Sequence, residues 1–144
     1  METYGKYFED FPVGKTGKTV GKTITHSDVD FFQEISSWPD YRIDDSRLVP
    51  EMLITAVVGG LFNRLGVYEG TLIAVAGTSW YYFLPVVVGD TLKVRFTVTE
   101  ASMSKKMDRG LVTFRLNTYN QRNELVAEGH LKIMLVAKGI EKSG

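Results

Sequence analysis

Period-two alternation dominates the second half of the chain. Leu92, Val94, Phe96 and Val98 alternate with Thr91, Lys93, Arg95, Thr97 and Thr99. Val112, Phe114 and Leu116 alternate with Thr113, Arg115 and Asn117, and Leu125, Ala127, Gly129, Leu131, Ile133 and Leu135 face away from Glu128, His130 and Lys132. One apolar face per strand predicts an antiparallel sheet that covers something apolar on one side. Turn residues at Gly89-Asp90, Asp108-Arg109-Gly110 and Gln121-Arg122-Asn123 separate the strands, and everything after residue 69 reads as strand or turn. The segment before it has a different period. Between Pro50, suited to a first helical position, and Gly66, suited to a C-terminal stop, Met52, Leu53, Ala56, Val57, Val58, Leu61, Phe62 and Leu65 leave little polar face. Such a helix is expected to be buried on most sides. Gly59 and Gly60 each cost about 1 kcal/mol relative to Ala inside a helix, which close approach of a sheet or second helix would explain. Upstream, residues 4–16 read as an irregular entry loop and 17–24 as a strand. Thr25-His26-Ser27-Asp28 offers capping chemistry for a short helix over Val29–Ile35, and 36–49 reads as loop.

A long apolar helix followed by four long strands is accommodated by a sheet that curls around the helix, an α+β arrangement known as the hot-dog fold. One curled sheet leaves strand edges and helix surface open, so two sheets are expected to pair in a dimer. The length of 144 residues suits a single domain over 1–144. Lys+Arg and Asp+Glu both number 17, which argues against nucleic acid or an anionic membrane as main partner. The absence of cysteine excludes disulfides, thiolate metal sites and a Cys nucleophile. No apolar run has the length of a membrane span, and Met1–Lys6 lacks the apolar core of a signal peptide, so a cytoplasmic location is expected. No spacing of His or carboxylate resembles a metal-ligand set, and no cofactor is expected. His26 and His130 read as surface residues.

Two stretches carry a resemblance that spans nearly the whole chain. Tyr7-Phe8-Glu9-Asp10-Phe11-Pro12-Val13-Gly14 resembles the opening of MaoC-like proteins, the R-specific enoyl-CoA hydratases. Trp80-Tyr81-Tyr82-Phe83-Leu84-Pro85-Val86-Val87-Val88-Gly89-Asp90-Thr91-Leu92 is similar to that family's aromatic, Pro-Val and Gly-Asp-Thr-Leu segment in order, spacing and turn residues. The resemblance implies a hot-dog fold and an acyl thioester as ligand, carried by CoA or acyl carrier protein, at the start of the long helix. The residues there are compatible with that. Val49 has no side-chain oxygen for capping and Pro50 has no N–H, so the first-turn amides lack local partners, and free amides at a helix N-terminus suit a carbonyl oxygen that gains charge.

The family enzymes carry an Asp, and a His five residues later, in the loop before the helix. Aligned without gaps, Trp38 stands at the Asp position and Ile43 at the His position. Neither transfers a proton. Hydration of an enoyl thioester needs one group to activate water and one to protonate Cα, and the candidates are Asp40, Tyr41 and Glu51. Burial would raise the pKa of whichever carboxylate does this work. A ligand tunnel is expected to be bounded by Trp38, Tyr41, Val49, Met52, Thr78 and Trp80, with Pro50 at its end and the amides near Glu51 and Met52. Three readings follow: a hydratase or dehydratase with a substituted acid/base set; a non-catalytic acyl-binding subunit, homodimeric or paired with an active homologue in a heteromer; or a thioesterase-like hydrolase.

Overall fold

The computed structural model describes residues 4–139. A 3-10 helix at Phe8–Asp10 leads into two short strands, β1 (Thr16–Lys18) and β2 (Lys22–Thr23). Helix α1 (His26–Ser36), a small hairpin of β3 (Arg42–Ile43) and β4 (Ser46–Arg47), and helix α2 (Glu51–Asn63) follow. The chain then runs through β5 (Leu72–Tyr82), β6 (Thr91–Met103), β7 (Arg109–Tyr119) and β8 (Leu125–Val136). The main sheet has the order β1-β6-β7-β8-β5, with β2 also on β6, and its pairs are antiparallel. The antiparallel sheet expected from the alternation is therefore present.

Its inner face is continuous across strands: Phe96, Leu116, Gly129 and Trp80 are successive partners, and Val98, Phe114, Leu131 and Thr78 form the next row. Helix α2 lays Leu53, Ile54, Val58, Leu61 and Phe62 against this face. The Phe62 ring lies 5.0 Å from Phe114 and 5.7 Å from Phe96, centroid to centroid, in the tilted and edge-on geometries that aromatic pairs prefer. This is the helix-on-curved-sheet arrangement of a hot-dog.

Several local expectations are corrected. Residues 17–24 are two strands, because Val94 N donates to Thr19 Oγ1 at 3.0 Å and the chain bends there. Residues 36–49 contain the β3–β4 hairpin, its turn closed with Asp44 at φ 53°. Pro50 is the N-cap and not the first helical residue, and α2 ends at Asn63, ahead of Gly66 with its φ of 71°. The β6–β7 turn lies at Ser104–Met107, whereas Gly110 sits inside β7 beneath the Phe8 ring, where an added Cβ would stand 2.3 Å from a ring carbon. Helix α2 is also not enclosed: Met52, Ala56, Gly60 and Asn63 form an exposed stripe, and a methyl group added at Gly59 or Gly60 meets nothing within 4 Å. Close packing inside this chain explains neither glycine. By contrast, the α1 start is as expected: Asp28 N donates to Thr25 Oγ1 at 3.1 Å while Thr25 N donates to the Asp28 carboxylate at 2.9 Å.

Candidate functional site

The start of α2 is set by the segment before it. Val49 N donates to the Val86 carbonyl at 2.8 Å and Val88 N donates to the Arg47 carbonyl at 2.9 Å, so residues 47–49 are laced to 86–88. Pro50, buried, then turns the chain into the helix, and its carbonyl accepts from the Leu53 and Ile54 amides. The amides of Glu51 and Met52 have no acceptor among the described residues. Free donors at the positive end of a thirteen-residue helix are therefore present.

Beside them is a cleft of about 210 Å³, walled by Ile43, Leu48, Val49, Ile54 and the Phe83–Val86 turn. The ionisable side chains among its lining residues are Glu51 and Tyr82. Tyr82 is joined to Thr55 of α2 by a short hydroxyl–hydroxyl hydrogen bond, which ties the end of β5 to the helix. The volume lies below the range of roughly 300–1,000 Å³ common for small-molecule sites. Within one chain a space of this size matches a short apolar group, not a large ligand.

The residues singled out from the sequence divide into two groups. Val49 and Glu51 line the cleft, and Pro50 stands between them. The others lie elsewhere. Trp38 packs on Phe32 of α1, ring centroids 5.8 Å apart. Tyr41 is 56% exposed, and Met52, on the open stripe of α2, is 50% exposed. Thr78 is exposed on β5, and Trp80 covers Gly129, whose added Cβ would stand 2.5 Å from the indole. Of the six residues expected to bound a tunnel, Val49 alone lines this cleft.

Asp40 is drawn away by an ion-pair network. The Arg47 guanidinium, 9% exposed, lies 2.8 Å from Asp40 and 2.8 Å from Asp30. It also donates to Gln33 Oε1 at 2.8 Å, and Gln33 Nε2 donates to Asp40 at 3.0 Å. Arg47 thereby straps the pre-helix loop onto α1. Its hydrogen bond, then that of Gln33, hold the Asp40 carboxyl below its ordinary value. An acid/base group working near neutrality needs a shift the other way, so the raised pKa expected of a catalytic Asp40 is absent. The histidines are distant from this chemistry: His26 touches Arg47, and His130 Nε2 lies 3.1 Å from Glu128 on the outer sheet face. Among the described residues no His, Cys, Asp and Glu cluster is suited to a metal ion, and no helix is long and apolar enough to cross a membrane.

Ile43, Tyr82, Leu84 and Pro85 belong to the cleft but were missed as site residues. Three of them lie in the Trp80–Leu92 segment, whose aromatic-then-Pro order marks the turn that becomes the wall.

No family model matches the chain, and no curated protein does. Solved structures do. A MaoC-like dehydratase from Rhodospirillum rubrum superposes with a TM-score of 0.82 at 24% identity, covering 94% of this chain and 100% of that one. An R-hydratase from Pseudomonas aeruginosa gives 0.73 at 21% identity over 97% and 95% of the two chains. A Mycobacterium tuberculosis protein described as a double hotdog gives 0.80 at 22% identity, covering 100% of this chain and 48% of that one. Helix α2, the antiparallel sheet it packs on and these superpositions agree: the chain has the hot-dog fold shared by MaoC-like dehydratases and R-hydratases.

Proposed function

We propose that the chain is a MaoC-like protein that binds an acyl thioester at the start of α2, with its acid/base chemistry reduced to Glu51. The acyl group occupies the cleft beside Val49 and Ile54, and the thioester carbonyl accepts from the Glu51 and Met52 amides. The observation that carries this reading is the pairing of an apolar cleft with two acceptor-free amides at a helix N-terminus. A carbonyl oxygen placed there is polarised without any moving charge. Glu51 is the carboxylate at the mouth of the cleft; it can activate water or move a proton at Cα, but it has no second acid/base residue comparable to an Asp/His pair beside it. Tyr82 positions the wall through Thr55.

The reading includes a homodimer in the cytoplasm. Strand β5 has no buried residue, and the Met52, Ala56 and Gly60 stripe of α2 is open, so both present apolar surface to a second copy. A second reading, a subunit paired with an active homologue in a heteromeric dehydratase, is favoured by the lone carboxylate in the cleft.

The test is binding and turnover of crotonyl-CoA and 3-hydroxybutyryl-CoA by the purified protein. Binding is expected, with hydration well below the order of 10 per second typical of enzymes. Glu51→Gln is expected to remove what turnover there is and leave binding in place, while Asp40→Asn leaves both. Binding without turnover in the wild type selects the non-catalytic reading. No binding of either thioester overturns the proposal.

A further inference from the structure

The face of the sheet turned away from α2 carries a second, differently built cleft. It measures about 380 Å³ and is lined by Lys18, Lys93 and Arg95 together with Thr19, Tyr119 and Asn123. A shallower hollow of about 280 Å³ adjoins it, shares Lys18 and Arg95, and adds Tyr4 and Thr16. No carboxylate lines either one.

The charges are brought together by register. Lys18 of β1 stands directly opposite Arg95 of β6, and Lys93 is two residues along the same face of the same strand. Like charges directly opposite in a sheet destabilise it. None of the three has an ion-pair partner among the described residues. Two nearby carboxylates are engaged elsewhere: Glu124 is 2.8 Å from Arg122 and accepts from Asn120, and Glu128, across Asn117 from Arg95, faces His130. Another cation lies nearby, outside the cleft lining. Arg115 lies diagonal to Arg95 on this face, and its Nε is buried without a hydrogen-bond partner. A buried donor left unpaired costs free energy, and a chain with 17 basic and 17 acidic residues has no overall excess of positive charge to account for such a cluster.

We infer that the Lys18, Lys93 and Arg95 cleft is a binding site for a small phosphate compound of at least two negative charges. Its volume is in the range of small-molecule sites, the three cations supply charge-assisted donors, and the Tyr119 ring and Asn123 amide offer a flank and a further donor. The site is on the opposite face from the α2 cleft and stands independently of the acyl-thioester reading. The phosphate could belong to a free metabolite or to the nucleotide part of a thiol carrier; the chemistry recognised is the same.

The test is a titration of ¹⁵N-labelled protein with inorganic pyrophosphate, and separately with adenosine 3′,5′-bisphosphate, followed by NMR. Saturable shifts are expected at Lys18, Thr19, Lys93–Arg95 and Asn123, weakening as salt is raised. The Lys93→Gln, Arg95→Gln double variant is expected to lose affinity by about tenfold or more, as loss of two charge-assisted contacts requires. Its melting temperature should not fall. A Lys105→Gln, Lys106→Gln control, in the β6–β7 turn, should leave phosphate affinity intact. Binding of pyrophosphate alone identifies a free-phosphate site; tighter binding of the bisphosphate points to a nucleotide. The inference is overturned if no saturable shift occurs at millimolar probe, if shifts spread equally over Lys105 and Lys106, or if the control variant weakens binding as much as the double variant.

Discussion

Strands β7 and β5 are each eleven residues long, and both are rich in apolar or aromatic side chains, but their burial differs throughout. In β7 every second residue is buried, from Gly110 through Val112, Phe114, Leu116 and Thr118. In β5 none is, and Val75 and Tyr81 are more than half exposed. The difference is one of neighbours. β7 lies between β6 and β8 with Phe62 of α2 on its inner face, whereas β5 is the outer strand of the sheet, paired on one side by β8. An apolar residue is buried by what packs on it, not by its own character. The open β5 edge and the Met52–Ala56–Gly60 stripe are the surfaces that the proposed dimer would cover.

The largest break in that comparison is expected at the centre of β7. Phe114→Ala should cost about 3–5 kcal/mol, read by urea denaturation, since Phe114 touches three other phenylalanines and is fully buried. Truncation of Tyr81 on β5 to Ala should cost under about 1 kcal/mol in the monomer. The proposed dimer is the next target. Ala56→Arg or Val75→Lys should convert a dimer to a folded monomer in sedimentation, a weakening of about a hundredfold or roughly 2.7 kcal/mol; a dimer that survives both places the interface elsewhere.

A third substitution sharpens the role of the junction between β8 and β5. Gly129→Val places carbon where the Trp80 ring lies. The indole must swing out, at about 1–3 kcal/mol, with a red shift of tryptophan emission as its readout. Unchanged emission would mean that Trp80 does not depend on Gly129.

The smallest effect concerns pH and the tie between the chain's ends. Burial pushes the Asp10 carboxyl up, but the Lys138 ammonium at 2.8 Å and the Lys6 and Tyr7 amides outweigh it and hold it at about 2. A carboxyl whose folded value is below its ordinary 3.8 stabilises the fold above that ordinary value. The contribution is lost as pH falls from about 4 towards 2. Screened by solvent, it should amount to about 1 kcal/mol. Asp10→Asn should lower stability at neutral pH and flatten the acid limb of a pH–stability curve.

The sheet was legible in the sequence because a period of two puts its apolar residues on one face, and that pattern needs no knowledge of the partner strand. The start of the candidate site was legible for a similar reason: Pro50 after Val49 leaves the next amides without a local cap whatever surrounds them. The rest of the site was not. Asp40 stands two residues from the position of a family acid, and its removal from the cleft depends on Arg47, Gln33 and Asp30, residues that share no period and meet through the packing of α1 on the hairpin. Gly110 shows the same limit at smaller scale. Beside Asp108 and Arg109 it reads as a turn, but Phe8, a hundred residues upstream, needs the space a side chain would fill.

What the sequence determined by itself was local and periodic: the strands, the apolar helix, the capping of α1 by Thr25 and Asp28, and the free amides after Pro50. These follow from backbone geometry and from side chains within a few residues of one another. Only the tertiary structure decided which apolar surfaces are covered, which carboxylate is neutralised by an arginine, and which lysines share a cleft. Lys18 and Arg95 are ordinary polar-face residues on their own strands and become a pair of facing charges when β1 docks on β6. Coulombic and packing energies depend on distance in space, and for those contacts separation along the chain carries no information about it.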